Sequence, residues 1–511
     1  MKKILLGPTL AVVIILLFPL FFPAVGIQQS LGVKADSDIT RKAEFTQLWN
    51  YKLDKSFVAS PVSANGLVYV TSVFSGGSGV SLICLNASSG TQVWNHTGYF
   101  ISFSVANGYI YVNEIPESNL RTNFLGVIVC LNAYTGSQIW KFTYGSSRCA
   151  PIVVGNYVYV CGYAATYPVF DHGFVYALDA LTGDVMWSQT INGVVFYATV
   201  SDGLVFVNFI NENYVDGLFY AEGMCAFDAL TGERIWTYPV GGSLNRVPDT
   251  PPIIFDDKIY VSYNNYSKTD PDYHAGGVYA LDALNGKLLW NFKTSSSVGN
   301  PLVADGICYV VSGDSFLTAF DASDGTIVWN YAAKTNLGSL QSVNGSLFAG
   351  SSAGVFCFDA SDGTVIWNFA ADEFVGSSAT CPVYAEGVIY VGWNGPQFFS
   401  SVTRHDFYAL DALTGEKIGN YTLGYAVKNS PTVMNSTIYI GASSVTEENP
   451  DWAGPGAVIA LNSTITLSPS ISFSASTITL IAVGVIAAIA VAVGAGLLVY
   501  FKKRKRVLVA V

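Results

Sequence analysis

Residues 177–187 read ALDALTGDVMW. The same pattern returns, with drift, at Leu85–Trp94 (LNASSGTQVW), Leu131–Trp140 (LNAYTGSQIW), Ala226–Trp236 (AFDALTGERIW), Ala280–Trp290 (ALDALNGKLLW), Ala319–Trp329 (AFDASDGTIVW), Phe358–Trp367 (FDASDGTVIW) and Ala409–Gly419 (ALDALTGEKIG). A ninth copy, Ala460-Leu461-Asn462, stops before its Gly and Trp. The copies recur every 38 to 54 residues or so, a period that marks a propeller or another stacked array. Each position has a physical task. The small Ala177 lets two sheets approach, Asp179 accepts hydrogen bonds from the turn backbone, and Gly183 supplies a positive φ. Trp187 carries the burial, because a buried indole covers roughly 150–250 Å². One such residue per unit (Trp49, Trp94, Trp140, Trp187, Trp236, Trp290, Trp329 and Trp367) is expected to dock each sheet on the next.

The residues missing from the ninth copy stand at the other end of the chain. Gln47-Leu48-Trp49-Asn50-Tyr51 matches the end of a unit with nothing before it. Ring closure accounts for this: the first strand completes the last sheet and removes two exposed edges. A second signal gives the same count. Two-residue hairpin turns occur at Asn65-Gly66, Asn107-Gly108, Gly155-Asn156, Asp202-Gly203, Asp256-Asp257, Asp305-Gly306, Asn344-Gly345, Glu386-Gly387 and Asn435-Ser436. Each is followed three residues later by an aromatic, from Tyr69 to Tyr439. A unit therefore reads as four strands, and the chain as an all-β propeller closed by its N-terminal strand.

The pattern A-x-D-x-x-T-G-x-x-x-W resembles the tryptophan-docking motif of the PQQ-like, quinoprotein-type propellers, a fold shared by pyrroloquinoline quinone dehydrogenases and the BamB scaffold. The resemblance covers residues 44–462. It implies a fold rather than an activity, and it leaves two blade counts open, since family members usually have eight and both signals here give nine. Dehydrogenases of this fold often carry adjacent cysteines beside the quinone and a catalytic Asp near calcium. No adjacent pair exists here, and no calcium or catalytic carboxylate can be placed by motif, so neither cofactor is carried over.

The two ends of the chain place it at a membrane. Residues 1–26 combine Lys2 and Lys3, the apolar run Leu10–Phe22 and Ala24-Val25-Gly26, the layout of a signal peptide. An uncleaved anchor is the alternative. A polar segment, 27–43, leads into the repeats. After them come a Ser/Thr-rich stalk, 463–477, an uncharged run at 478–501 long enough to span a bilayer, and a basic tail at 502–511. The positive-inside rule keeps that tail cytoplasmic and the propeller outside. Lys2, Lys3 and the five basic residues 502–506 account for seven of the 25 Lys and Arg, which leaves 18 against 36 acids. An acidic body excludes nucleic acid as the ligand, since phosphate binding needs clustered cations.

Of eight cysteines, Cys84, Cys130 and Cys357 replace the small Ala of the docking stretch and read as packing residues. Cys149 and Cys161 flank the turn at Gly155-Asn156, but pairing across that turn opposes residue 150 to 161, which places the two thiols on opposite faces. The histidines are scattered, with His172, His274 and His405 in expected loops, and neither C-x-x-C-H nor C-x-x-C occurs. No metal site is assigned, Asp270-Pro271-Asp272 included, because it lacks the spaced ligands of a calcium loop.

Function is expected on the loops between second and third strands. These are short at Gly313–Ser315 and Ser351–Gly354 and long in six other units, where carboxylates and aromatics mix: Tyr214, Asp216, Asp270, Asp272, Tyr273, Trp393 and Trp452 form the candidate ligand face. Asn265 heads the sequon best placed for glycosylation. Three functions are compatible with these features: a surface-anchored module that binds or scaffolds a protein or glycan, a membrane-tethered quinoprotein dehydrogenase, or a structural component of a cell envelope. One C-terminal span, an acidic exterior and a basic cytoplasmic tail suit an archaeal surface protein.

Overall fold

A computed structural model of the chain describes residues 39–53, 56–74, 80–115, 126–145, 149–163, 172–210, 222–240, 246–247, 251–265, 275–370, 378–394, 406–427, 429–446 and 449–469. Ala43–Ile465 forms one compact unit. A second grouping, Met1–Lys42 with Thr466–Val511, is described only at 39–42 and 466–469, where the Thr466 hydroxyl donates to the Lys42 carbonyl (3.3 Å). The signal-peptide and C-terminal apolar segments lie outside the described residues. Among the described residues no helix is long and apolar enough to cross a membrane.

The described secondary structure is β, its sheets built from antiparallel strand pairs with one isolated parallel bridge at His172 and Gly193, in a β-propeller-like arrangement. The sheet that holds the quoted stretch shows the plan: Ile152–Val154, Tyr157–Tyr163, His172–Asp179 and Val185–Asn192 pair in chain order. Tyr159 faces Ala177, which faces Trp187, and a bulge follows at Ala177/Leu178. The bulge turns the chain into a tight loop in which the Asp179 carboxylate accepts the amides of Leu181 (2.8 Å) and Thr182 (2.9 Å). Those bonds, the Thr182 amide foremost, hold the Asp179 carboxyl below its ordinary range. Seven further sheets obey similar rules. One has eight strands because Gln92–Ala106 pairs with Val80–Asn86 along its first half and with Tyr109–Ile115 along its second, with a register shift between Phe100 and Ser102.

Contact between sheets centres on one carbonyl. The Trp187 indole N–H donates to the Ala229 carbonyl of the following sheet (2.8 Å), and the Tyr159 hydroxyl donates to the same oxygen (3.0 Å). The same convergence joins Trp94 and Tyr69 to Ala133, Trp140 and Tyr111 to Ala180, Trp290 and Tyr260 to Ala322, and Trp329 and Tyr309 to Ala360. Both lone pairs of a buried carbonyl are thereby used. Trp236 and Trp367 reach Ala283 and Ala412 without that help, because Phe206 and Phe348 replace the tyrosine. The repeat Gly has a second duty beyond its φ of 76°: a Cβ at Gly183 would lie 2.6 Å from the Trp140 ring, so the glycine is the seat of the preceding sheet's indole.

The contacts return to their start. Ile39–Leu53 lies beside Asn449–Pro469 as the fourth strand of the last sheet, and Trp49 donates to Ala87 of the first (2.9 Å) over the seat at Gly90. At the preceding junction Gly419 stands where a Trp is otherwise found, and the Ala43 backbone occupies the space (2.4 Å from a Cβ at 419). Phe45 fills the rest of that junction, edge-on to Tyr390, Phe407 and Tyr421.

Both residues of the hairpin turns take positive φ, for example 51° at Asn65 and 76° at Gly66, except at Gly155-Asn156, where only the glycine does. Ser436 adopts 59° where most turns have Gly. Ser436→Gly is therefore expected to raise stability by about 0.5–1 kcal/mol, the relief of left-handed strain less the added freedom of the unfolded chain. The thermal midpoint measures it.

Candidate functional site

A cleft of about 700 Å³ opens among three successive sheets. Its walls are the links between sheets, Ser297–Leu302 and Asn336–Leu340, together with Asn264 and Val311–Gly313. The walls are held by backbone-like bonds. Buried Asn264 accepts the Val298 amide (2.7 Å) and donates to the Val298 carbonyl (3.1 Å), acting as a strand partner for the link. Gly299 donates to the Val311 carbonyl (2.9 Å) and Gly313 to that of Ser297 (2.7 Å). The Ser315 hydroxyl donates to the Asn336 side chain (3.0 Å), which ties the Asn336–Leu340 segment to the preceding sheet.

The floor is apolar, with Val298 and Leu337 buried, and the rim carries exposed Asn300, Asn336 and Ser339. Among the described residues no Lys, Arg, Asp or Glu lines the cleft. The nearby Asp314 carboxylate accepts the hydroxyls of Ser295 (3.0 Å) and Ser312. In an acidic body this is a neutral surface of amides and hydroxyls over an aliphatic base.

Of the candidate residues read from the sequence, Trp393, Trp452 and Asn265 fall among the described residues, and none of these three lines the cleft. Tyr214, Asp216, Asp270, Asp272 and Tyr273 lie outside the described residues. Trp393 and Trp452 belong to the strands Val388–Asn394 and Asn449–Pro469, and Asn265 ends Lys258–Asn265, opposite Arg246. The described lining includes Gly313, the first residue of the short connection Gly313–Ser315.

Other candidate groups are settled by their surroundings. Burial pushes the thiols of Cys84, Cys130 and Cys308 up to about 12 and that of Cys357 up to about 11, so none supplies a thiolate near neutral pH. Among the described residues no three His, Cys, Asp or Glu gather as metal ligands. His172 opens a strand rather than lying in a loop, because the ladder runs on to Asn192; His96, within a strand, is 3.4 Å from Glu114 and stacks on Phe100. One expectation is reversed: the sulfurs of Cys149 and Cys161, placed on opposite faces by the turn register, are 2.9 Å apart.

Indole-docked antiparallel sheets of this plan define a PQQ-like repeat propeller. The chain belongs to the family described as outer membrane protein assembly factor BamB, whose model matches residues 42–109, 125–291 and 273–350, more than half of its length. It is similar to the outer membrane protein assembly factor BamB of Nitrosomonas eutropha, at 24% identity over 244 residues covering 40% of this chain and 58% of that protein. It is also similar to the tetrathionate hydrolase of Acidithiobacillus ferrooxidans, at 28% identity over 138 residues, 23% of this chain and 27% of that one. The chain thus matches less than two thirds of either relative. Among solved structures, a europium-containing methanol dehydrogenase superposes with a TM-score of 0.50 at 14% identity, covering 82% of this chain and 93% of that one, a likeness of fold.

The dehydrogenase members imply pyrroloquinoline quinone. That group is a planar tricarboxylate bound with a divalent cation, and it calls for cationic side chains, a flat ring beneath it and carboxylates for the metal. Among the described residues the cleft lining supplies none of these, and the eight repeat indoles are committed to contacts between sheets. The cleft does not fit the quinone, and no redox step is derived.

Proposed function

We propose that the chain is a membrane-tethered binding or scaffolding propeller of nine blades, with Gln92–Ala106 divided between two of them, that holds an uncharged segment of a partner protein in the cleft around Asn336. The neutral lining carries this reading. Amides and hydroxyls over an aliphatic floor match the peptide groups and side chains of an extended segment, whereas sugars favour aromatic faces, which the described lining lacks. Membership in the BamB family supports a protein partner. The sequence supports the placement: the signal-like 1–26, the uncharged run 478–501 and the basic residues 502–506 put the propeller on the outer side of a bilayer, tethered at its C-terminal end.

Filling the cleft tests the reading. Ser339→Trp places an indole over the Leu337 floor at an exposed position. Binding to a library of uncharged extended peptides is expected to fall at least tenfold, with the thermal midpoint unchanged. Peptide binding that survives the indole removes the cleft from the function. Binding seen on a neutral glycan array and not with peptides moves the partner to sugars.

A further inference from the structure

Cys149 lies on the link that leads into the inner strand Ile152–Val154, and Cys161 on the strand beside it, Tyr157–Tyr163. The ladder runs Val154↔Tyr157, Val153↔Val158, Ile152↔Tyr159 and ends there. Continued, it would hold the two thiols apart. It does not continue, because the backbone before Ile152 is drawn toward the preceding inner strand. The Ser102 hydroxyl donates to the Cys149 carbonyl (3.0 Å), the Asn113 amide donates to the same oxygen (3.2 Å), and the Ser104 hydroxyl donates to the Pro151 carbonyl. Pro151 has no N–H to offer a ladder. The peeled segment turns Cys149 inward onto Cys161.

The two sulfurs are 2.9 Å apart, closer than the roughly 3.5–4.0 Å at which even unbonded carbon atoms rest. Both residues are buried, at 8% and 2% exposure, among Tyr159, Val175, Trp187 and Ile191. Two thiols do not sit comfortably at that separation. A covalent bond, at about 2.05 Å, brings them to rest with a small further approach.

We propose that Cys149 and Cys161 are joined by an intrachain disulfide in the mature protein. The bond forms by thiol–disulfide exchange with an oxidised dithiol carrier or glutathione disulfide. One protein thiolate attacks the donor disulfide and releases one carrier thiol, then the second protein thiolate displaces the other. Two protein S–H bonds and the donor S–S bond are replaced by one protein S–S bond and two carrier S–H bonds, so the donor disulfide takes up the two electrons and, by way of solvent, the two protons. In the folded state both sulfurs are buried out of reach of a carrier disulfide, so the bond is made during folding. Once made, it fixes the start of the inner strand and, through the Cys149 carbonyl, the Ser102 and Asn113 clamp to the preceding sheet. The inference is independent of the cleft and of what it binds.

The test refolds the full chain from denaturant in a glutathione redox buffer and then alkylates it in denaturant. Six of the eight cysteines are expected to label, rising to all eight after reduction. Cleavage after Tyr157 and Tyr159 separates the two cysteines, so a chymotryptic digest is expected to contain a Cys149–Cys161 linked pair that reductant abolishes. Labelling of all eight without reductant, or a bridge to a different cysteine, overturns the proposal. Cys161→Ser is expected to leave seven labelled thiols, and a variant that still protects two overturns it as well.

Discussion

Trp187→Ala is expected to destabilise the chain by about 3–5 kcal/mol, the cost of removing a large aromatic from a site that cannot collapse. The site is fixed on every side. The indole is buried against Tyr159 and Phe227 (centroids 6.1 and 6.5 Å), rests on Gly232 and donates to the Ala229 carbonyl. Denaturant unfolding measures the loss. Tyr159→Phe removes the second donor to the same carbonyl and is expected to cost only about 0.5–1.5 kcal/mol, since the junctions at Phe206 and Phe348 already stand without it. A cycle with Gly232→Ala separates two effects. A Cβ at 232 would lie 2.5 Å from the Trp187 ring, at a backbone φ of 71°. The alanine alone meets both the ring and the φ strain, whereas in the Trp187→Ala background only the strain remains, about 1–2 kcal/mol. The two substitutions are therefore expected to be strongly non-additive. Additive costs would mean that the glycine is kept for its φ alone and the indole is not seated on it.

Much of this junction was legible in the repeat itself. The Asp that accepts turn amides, the positive φ of the Gly and the small Ala arise from local chemistry, and the quoted stretch contains them all. The partner of the indole was not legible, because the Ala229 carbonyl and Gly232 belong to the next repeat and no spacing says which oxygen a Trp will find. The tyrosine after each hairpin was visible as a periodic aromatic, but its hydroxyl acquires a purpose only when it converges with the indole. At Cys149 local reasoning went astray for a physical reason: the hairpin register was right, and two serines of the preceding sheet, 47 residues away, end it early. The cleft was hidden for a related reason. Asn264, Ser297, Asn300 and Ser339 are unremarkable in sequence, and only the stacking of three sheets brings them around one space.

Trp49→Ala is expected to cost a similar amount to Trp187→Ala but, unlike it, to make the chain self-associate. Trp49 sits on the strand Ile39–Leu53, which arrives from the N-terminal end to complete a sheet otherwise built from residues 432–469. That strand serves two junctions. Forward, Trp49 donates to Ala87 and packs on Tyr439 (5.9 Å); backward, Ala43 and Phe45 fill the space at Gly419, and Gln47 accepts the Tyr421 hydroxyl (3.0 Å). Every other junction joins repeats adjacent in the chain, so a weakened one is still held by short connections. Here the partners are about as far apart in sequence as the fold allows, as the 371 residues between Asn429 and the Val58 carbonyl it binds illustrate. When the strand leaves, it exposes the edge of Asn449–Pro469, and an unpaired edge recruits another chain. Light scattering is expected to show concentration-dependent association of Trp49→Ala under mildly destabilising conditions in which Trp187→Ala stays monomeric, and Trp49→Phe is expected to suppress much of it. If both alanine variants are equally monomeric at equal stability, the strand is held by Ala43, Phe45 and its ladder alone, and the indole at 49 is one dock among eight rather than the latch of the array.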